Sequence, residues 1–295
     1  MKPKILTIVV TYNAMKWLDR CLGSLMLSGM PSDVIVIDNG SVDGTAEYIQ
    51  DNYPDVKFFA TGENLGFGKA NNIGFRYALK YGYEYVYLLN QDAWIFPETF
   101  GTLVEAMEKD RSLGILSPMQ MAACLDRPDP RFERWCPKSA LRDVDSRWRK
   151  GKVYGVKFVM AAHWMISREC LENVGGFSPA FKHYGEDDNF IHRALYKGYK
   201  VGIHSGAKAV HDREMRPVSK EASMRLKCVA SVVKVSNPLE KMWFRMMFQP
   251  VELFAISIRY RSGYVFKYIF TLIRSYRSLK AIRNESLDDM AFLKQ

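Results

Sequence analysis

Cysteine is scarce in this chain of 295 residues. The five present (Cys21, Cys124, Cys136, Cys170 and Cys228) form no CxxC pair and no even framework. That argues against a disulfide scaffold and a zinc cluster, and it suits a reducing compartment. Long apolar runs are missing too: none reaches the ~18 residues of a membrane-spanning helix. The opening "MKPKILTIVV" has a basic start, but "TYN" ends its apolar run after six residues, too short for an export signal. A cytoplasmic location is expected. The phosphate loop GxxxxGK followed by Ser or Thr is absent, as is GxGxxG after the first apolar run. Internal repeats and low-complexity tracts are also absent, which sets aside solenoid and disordered classes.

What is present supports a full core: 48% of residues are apolar and 25% charged, an ordinary globular balance. The net charge of +10 is unevenly spread. Residues 206–283 hold sixteen Lys/Arg against five Asp/Glu, while the first two hundred residues are close to neutral. "ILTIVV", "DVIVID", "VKFFA" and "YVYLLNQD" read as four short buried strands. Between them fall a helix face on Trp17, Leu18, Cys21, Leu22 and Leu25, a helix near 44–52, and a helix ending near Gly82. This alternation predicts an α/β domain with a mostly parallel central sheet flanked by helices. In such sheets ligands bind beyond the carboxyl ends of the strands. Three of those ends are polar: Thr11-Tyr12-Asn13, Asp38-Asn39 and Asn90-Gln91-Asp92. The Arg-, Pro- and Trp-rich stretch 121–152 reads as a long loop or lid, and "VKFVMAAHWMIS" resumes strand-like sequence. From about 218 onward the chain is helical, basic and aromatic.

Several stretches can carry chemistry. "HYGEDDNF" places Glu186, Asp187 and Asp188 side by side. Acids in a first helical turn gain about 0.3–1 kcal/mol each from the dipole, so capping alone accounts for them; a shared catalytic task is the alternative. Asp38 can accept from a ribose hydroxyl or a base N–H, or simply organise the turn "DNGS". "GENLGFGKANN" lets backbone amides approach a ligand and offers Lys69 to a diphosphate, or is an ordinary loop. Asp92 at a strand end suits Mg²⁺ or Mn²⁺ held against substrate phosphates. His211 also follows a strand-like run, and an imidazole ligand tilts the preference toward Mn²⁺.

Taken together and in order, "VVTYN", "VIVIDNGSVDGT", "GENLGFGKANNIG", "LLNQDAWI", "VGGFSPAFKHYGEDDNFIHRALYKGYKV" and His211 resemble family 2 glycosyltransferases of the GT-A fold, rhamnosyltransferase-like branch. The resemblance covers roughly residues 4–215. It implies that Thr11, Tyr12, Asn13 and Asp38 cradle the base and ribose. It places Asn64, Gly66, Lys69, Asn72 and Asn90 along the donor diphosphate or sugar, and a divalent cation, Mn²⁺ or Mg²⁺, on Asp92 and His211. In the Glu186-Asp187 pair, Asp187 would be the catalytic base. Two departures stand out: Asn90-Gln91-Asp92 keeps one carboxylate of the metal motif, and Asn189 replaces the last acid of EDxD. The QxxRW signature of processive synthases is absent, which implies addition of a single sugar.

The expected organisation is a GT-A catalytic domain over 1–217, with a nucleotide half near 1–95 and an acceptor half near 96–217, followed by a basic helical tail over 218–295. The reaction implied is inverting transfer from dTDP-rhamnose or a UDP-sugar to a hydroxyl of a glycan or lipid-linked acceptor in cell-surface polysaccharide synthesis. Basic helices with aromatic faces lie on anionic bilayers, which gives the tail a peripheral site on the inner membrane face. The alternative is packing on the catalytic domain or on a second subunit, a homo-oligomer. Competing functions are a sugar nucleotidyltransferase, which releases pyrophosphate, and a non-catalytic membrane-surface binder. Nucleic acid is set aside, because the positive charge is confined to the tail and no recognition motif accompanies it.

Overall fold

In the computed structural model, which describes residues 3–144, 151–213, 219–261 and 263–294, the first apolar run forms strand β1 (Ile5–Thr11). It pairs in parallel with β2 (Asp33–Asp38) and β4 (Tyr85–Asn90), and β3 (Lys57–Ala60) extends the sheet beyond β2. Alternate residues of a strand face opposite sides. Leu6 and Ile8 join a core with Phe75 of α3 (Phe67–Lys80), while Ile5 and Val9 join another with Leu18 and Cys21 of α1 (Leu18–Met26). Both faces are therefore covered, which is why these strands read as continuous apolar runs. Helix α2 (Thr45–Asn52) connects β2 to β3. At Gly74 of α3 a Cβ would lie 2.5 Å from Ile8, so glycine alone admits this close helix–sheet approach.

Beyond β4 the sheet is mixed. Strand β8 (His163–Ser167) runs antiparallel to β4 and to β6 (Leu113–Met121), and β6 runs parallel to β9 (Lys200–His211). Short strands β5 (Ala93–Ile95) and β7 (Val153–Gly155) pair antiparallel with β9. The main order is β3-β2-β1-β4-β8-β6-β9-β5. Pairing is wholly parallel among the first four strands, and parallel again only between β6 and β9 among the described strands. Strand β8 enters after the long 122–162 excursion rather than a short helical crossover, which frees it to run the other way. Strands from residues 1–95 and from residues 96–213 share one continuous sheet.

The helices α4 (Thr99–Lys109), α7 (Arg168–Val174) and α8 (Glu186–Tyr196) cover this half. The stretch read as a loop contains α5 (Pro130–Glu133) and α6 (Lys138–Val144). Asp129 caps α5 by accepting from the amides of Arg131 and Phe132, and Phe132, Cys136 and Ala140 are buried in the main core. Spaced four apart, these three apolar residues anchor a segment whose Arg and Pro content masks them. Residues 145–150 of the lid expectation lie outside the described residues.

The tail forms α9 (Lys220–Ser236), α10 (Met242–Tyr260), α11 (Gly263–Arg274) and α12 (Tyr276–Glu285) around a small core of Met224, Cys228, Leu253, Val265 and Leu272. It packs on the preceding α/β unit: Asn189 of α8 donates to Ser236 at 3.4 Å, and Gly176 donates to the Ala291 carbonyl at 2.7 Å. Among the described residues no helix is long and apolar enough to cross a membrane.

Candidate active site

The register of the parallel strands sets Thr11 beside Asp38 and Val10 beside Asn90, so the polar strand ends converge. Next to them lies a cleft of about 720 Å³, walled by Asn90, Met160, Ala161, Glu186, Asp187, Asp188 and Arg213 among others. The acidic triplet therefore opens into a cavity at the carboxyl end of the sheet, where the sequence placed the ligand site.

All three acids occupy the first turn of α8, so the dipole benefit is realised. Gly185 caps the helix with φ +86, and a Cβ there would lie 2.7 Å from Val233 of α9. Burial pushes Glu186 up to about 7, with the charge of Asp187 adding to it. Burial followed by the Asp187 charge pushes Asp188 to about 7. Asp187 is also raised by burial, opposed by backbone amides including that of Ala161. Desolvation, rather than repulsion from the flanking acids, is what raises Asp187. One Glu186 oxygen is buried without a hydrogen-bond partner.

The candidate cation residues meet because Ala93 pairs with His211 across β5 and β9. The Asp212 amide donates to the Asp92 carbonyl at 2.8 Å, locking that register. His211 Nε2 then lies 3.4 Å from Asp92 Oδ1. That is long for a hydrogen bond and suits two neighbouring ligands of one ion at about 2.0–2.2 Å each. Burial pulls Asp92 upward, but His211 and Arg213 outweigh it and hold the carboxylate below its ordinary value. Among the described residues no three His, Cys, Asp or Glu side chains cluster around one point. One carboxylate and one imidazole fit a divalent cation that completes its shell from substrate phosphates and water.

Behind His211, the buried His163 takes the Tyr87 hydroxyl at Nδ1 (2.8 Å) and faces the Val210 carbonyl with Nε2 (2.9 Å). Burial pushes its imidazole down to about 3, so it is neutral, and it fixes the backbone that carries His211. Arg213 lines the cleft with its Nε 3.4 Å from Asp129. Burial lowers its guanidinium, while Asp129, Asp92 and Asp187 pull it back up. A single cation is thus within charge range of both the candidate ion pair and the candidate base.

Around the ends of β1 and β2 several of the expected site residues have partners within the protein. The carboxylate of Asp38 accepts from the Thr11 hydroxyl (2.7 Å), the Ser41 hydroxyl (2.5 Å), and the amides of Gly40 (3.1 Å) and Ser41 (2.9 Å). Its acceptor sites are filled, and Thr11 is wholly buried, so this pair shapes the turn rather than presenting free groups to a nucleotide. Asn13, at φ +53, accepts from the Val42 amide at 2.9 Å and ties two loops together. Tyr12 is 48% exposed and keeps an open ring face. Its backbone is clasped by Gln91, which accepts from the Tyr12 amide (2.7 Å) and donates to its carbonyl (3.2 Å).

In the glycine-rich loop, Asn64 is an exposed turn residue that accepts from the Gly66 amide at 2.9 Å. Gly66 has φ +81, and a Cβ would lie 2.8 Å from the Lys182 carbonyl. Lys69 is exposed on the first turn of α3 and is not part of the cleft wall. Asn72 takes both backbone groups of Phe177, at 2.7 Å and 3.0 Å. With those two bonds Asn72 clasps the backbone, a structural task beside the diphosphate contact expected of it. Asn90 does line the cleft.

Sequence reasoning gave Gln91 no role beyond its polar strand end and did not single out Asp129, His163 or Arg213. Arg213 follows His211 by two residues in "HDR" and could have been noticed there. The others carry no local signal, because their partners are far away in the chain.

A family model described as Glycosyl transferase family 2 matches residues 7–175. The N-acetylglucosaminyl-diphospho-decaprenol L-rhamnosyltransferase of Mycobacterium tuberculosis is 32% identical over 124 residues, 38% of this chain and 39% of that relative. The chain thus spans about two fifths of that relative's length. The dTDP-rhamnosyl transferase RfbF of Shigella flexneri is 27% identical over 217 residues, 72% of this chain and 70% of the relative. Among solved structures, mannosyltransferase PcManGT from Pyrobaculum calidifontis, in complex with GDP-Man and Mn²⁺, is similar in fold with TM-score 0.57 at 18% identity, over 97% of this chain and 85% of that one. The fold is that of the GT-A glycosyltransferases.

Proposed function

Since this chain belongs to glycosyl transferase family 2, we propose that it moves one sugar, with inversion, from a nucleoside-diphosphate sugar to a hydroxyl of a lipid-linked acceptor at the inner face of the membrane. The observation that carries this reading is Arg213, in charge range of both Asp92 and Asp187 beside one cleft. Donor diphosphate and acceptor hydroxyl would meet across it.

The donor base would rest on the open ring of Tyr12, and the diphosphate would face Asn90 and Arg213. Asp187 would accept the proton of the acceptor hydroxyl as its oxygen bonds to the anomeric carbon. The carbon–oxygen bond to the diphosphate breaks, its electron pair leaving with the nucleoside diphosphate. Arg213 would stabilise the negative charge that gathers there. A divalent cation held by Asp92 and His211 would supply further charge for the diphosphate. Manganese in PcManGT supports this assignment. Burial raises Glu186 and Asp188 to about 7 and raises Asp187 as well, so the triplet would carry less negative charge than three ordinary carboxylates and Asp187, once ionised, would be a stronger base than a free aspartate.

The relatives named for rhamnosyl transfer favour dTDP-rhamnose as donor, with a UDP-sugar as the competing choice. A donor panel incubated with and without Mn²⁺ tests this. Release of nucleoside diphosphate is expected; release of pyrophosphate would instead mark a nucleotidyltransferase, and no turnover of any donor by a chain that is intact and binds Mn²⁺ would overturn the proposal.

A further inference from the structure

Tyr12, where the donor base would rest, is not part of the cleft wall, whereas Trp135 and Tyr184 are. Both are large aromatic side chains left open, 57% and 63% exposed. The backbone under Trp135 is pinned. It lies between Phe132 and Cys136, which are buried in the main core, and its own amide and that of Cys136 both donate to the Phe132 carbonyl at 3.0 Å. The Trp135 ring meets Phe158, another wall residue, edge-on, with centroids 5.0 Å and planes 67° apart. Asp129 fixes the same segment to the site: its Oδ1 accepts from the Arg131 and Phe132 amides at 3.0 Å and 2.8 Å, and its Oδ2 lies 3.4 Å from Arg213 Nε.

Tyr184 is held at a cost. Its φ is +67, in the left-handed region that an aromatic residue seldom enters, and Gly185 follows at +86. Glycine would take such a backbone freely. No hydrogen bond or ring contact within the described residues holds the Tyr184 side chain. Strain of this kind gathers at ligand sites, and here it falls directly ahead of the acidic turn of α8.

A pyranose carries C–H bonds on its faces and hydroxyls round its edge. It is therefore bound by aromatic faces with hydrogen-bonding groups around them. The same wall supplies those groups: Arg131 and Arg134 beside Trp135 in the chain, and the acidic triplet after Tyr184.

We propose that Trp135 and Tyr184 form an aromatic subsite for the sugar ring that bears the attacking hydroxyl. The ring would stack on Trp135, with Tyr184 closing on it and one hydroxyl facing Asp187. This deepens the glycosyltransferase reading and rests on it for the acceptor's role.

The test uses the full chain labelled with 5-fluorotryptophan. Of its six tryptophans, the fluorine resonance lost in Trp135→Phe is that of Trp135. Methyl β-glucoside and methyl N-acetyl-β-glucosaminide, added to about 100 mM, are expected to shift this resonance saturably. Trp243, similarly exposed on α10, should not respond. Sorbitol, which has the hydroxyls without the ring, should shift neither. Saturation-transfer titrations then follow the glycoside on the variants. Trp135→Ala and Tyr184→Gly are expected to weaken it about tenfold, and Trp135→Tyr to keep most of the binding. Tyr184→Gly should melt within a few degrees of wild type, because glycine accepts the positive φ. A Tyr184→Gly protein that melts far lower yet binds glycoside normally would make that ring a packing group and overturn the subsite. No shift of Trp135 with either glycoside, or an equal shift with sorbitol, would also overturn it. Displacement of glycoside by dTDP would put the rings under the nucleotide base and do the same. Binding of dTDP is measured in parallel: its failure in wild type would defeat the donor reading and leave the glycoside result standing.

Discussion

Asn72 holds Phe177 by both backbone groups: its Oδ1 accepts from the Phe177 amide at 2.7 Å and its Nδ2 donates to the Phe177 carbonyl at 3.0 Å. The clasp ties α3 to the loop that leads into the acidic helix, and Phe177 stacks on Phe75 beneath it. Asn72→Ala would leave two buried backbone groups unpaired, costing about 1–3 kcal/mol each before relaxation. A drop in melting temperature is expected with the donor KM near wild type. A large rise in donor KM at unchanged stability would return Asn72 to the diphosphate.

Asp187→Asn is expected to retain donor binding and lose about 10²–10⁴-fold in kcat, the range for a removed general base. In wild type the acidic limb of kcat/KM should lie above the ordinary aspartate value, since burial raises Asp187 and only the ionised form accepts the proton. A limb near pH 4, or full activity in the variant, would remove Asp187 from the role.

The ion pair gives a separate forecast. Asp92→Asn should abolish stimulation by Mn²⁺, and His211→Ala should raise the Mn²⁺ needed for half-maximal turnover by about 10–100-fold. Arg213→Gln should lower kcat at every Mn²⁺ concentration without changing the half-saturating value. Unaltered Mn²⁺ dependence in both ligand variants would place the ion elsewhere.

Stability should fall as pH rises through 7. Glu186 and Asp188 have folded values near 7, against about 4 in the unfolded chain. Between those limits the folded state binds more protons, so their contribution is full below about pH 4 and lost above 7. Melting curves across pH 5–8 should show the decline, and Glu186→Gln with Asp188→Asn should flatten it. An unchanged slope would mean these groups are not buried as described.

Vesicle binding is best tested by point changes. Truncation near 235 would remove Ser236, the partner of Asn189, and the α10 and α11 residues that share the small core of α9, confusing folding with docking. Trp243→Ser with Phe254→Ser, both exposed, should instead reduce co-sedimentation with vesicles containing phosphatidylglycerol and leave the melting temperature within a few degrees. Equal sedimentation would end the membrane role for this face.

Much of the scaffold was legible because its signals are local. Four β-branched apolar runs, polar residues at their ends and acids ahead of an apolar helical face follow from propensity and periodicity alone. The mixed half of the sheet was less legible, since strand direction depends on where a long excursion returns. The helices of 130–144 were hidden because three buried residues carry them among many charges.

The sequence by itself determined the elements, the end of the sheet where a ligand would bind, and the set of polar side chains available there. Tertiary structure decided which of those are free. Asp38 is saturated and Asn72 engaged by partners that only the folded register supplies, whereas Asp92 meets His211, and Arg213 faces the cleft, because β5 and β9 pair at their ends. The reason is physical: a hydrogen-bonding group saturates, and whether a distant partner claims it depends on long-range strand pairing that no local pattern encodes.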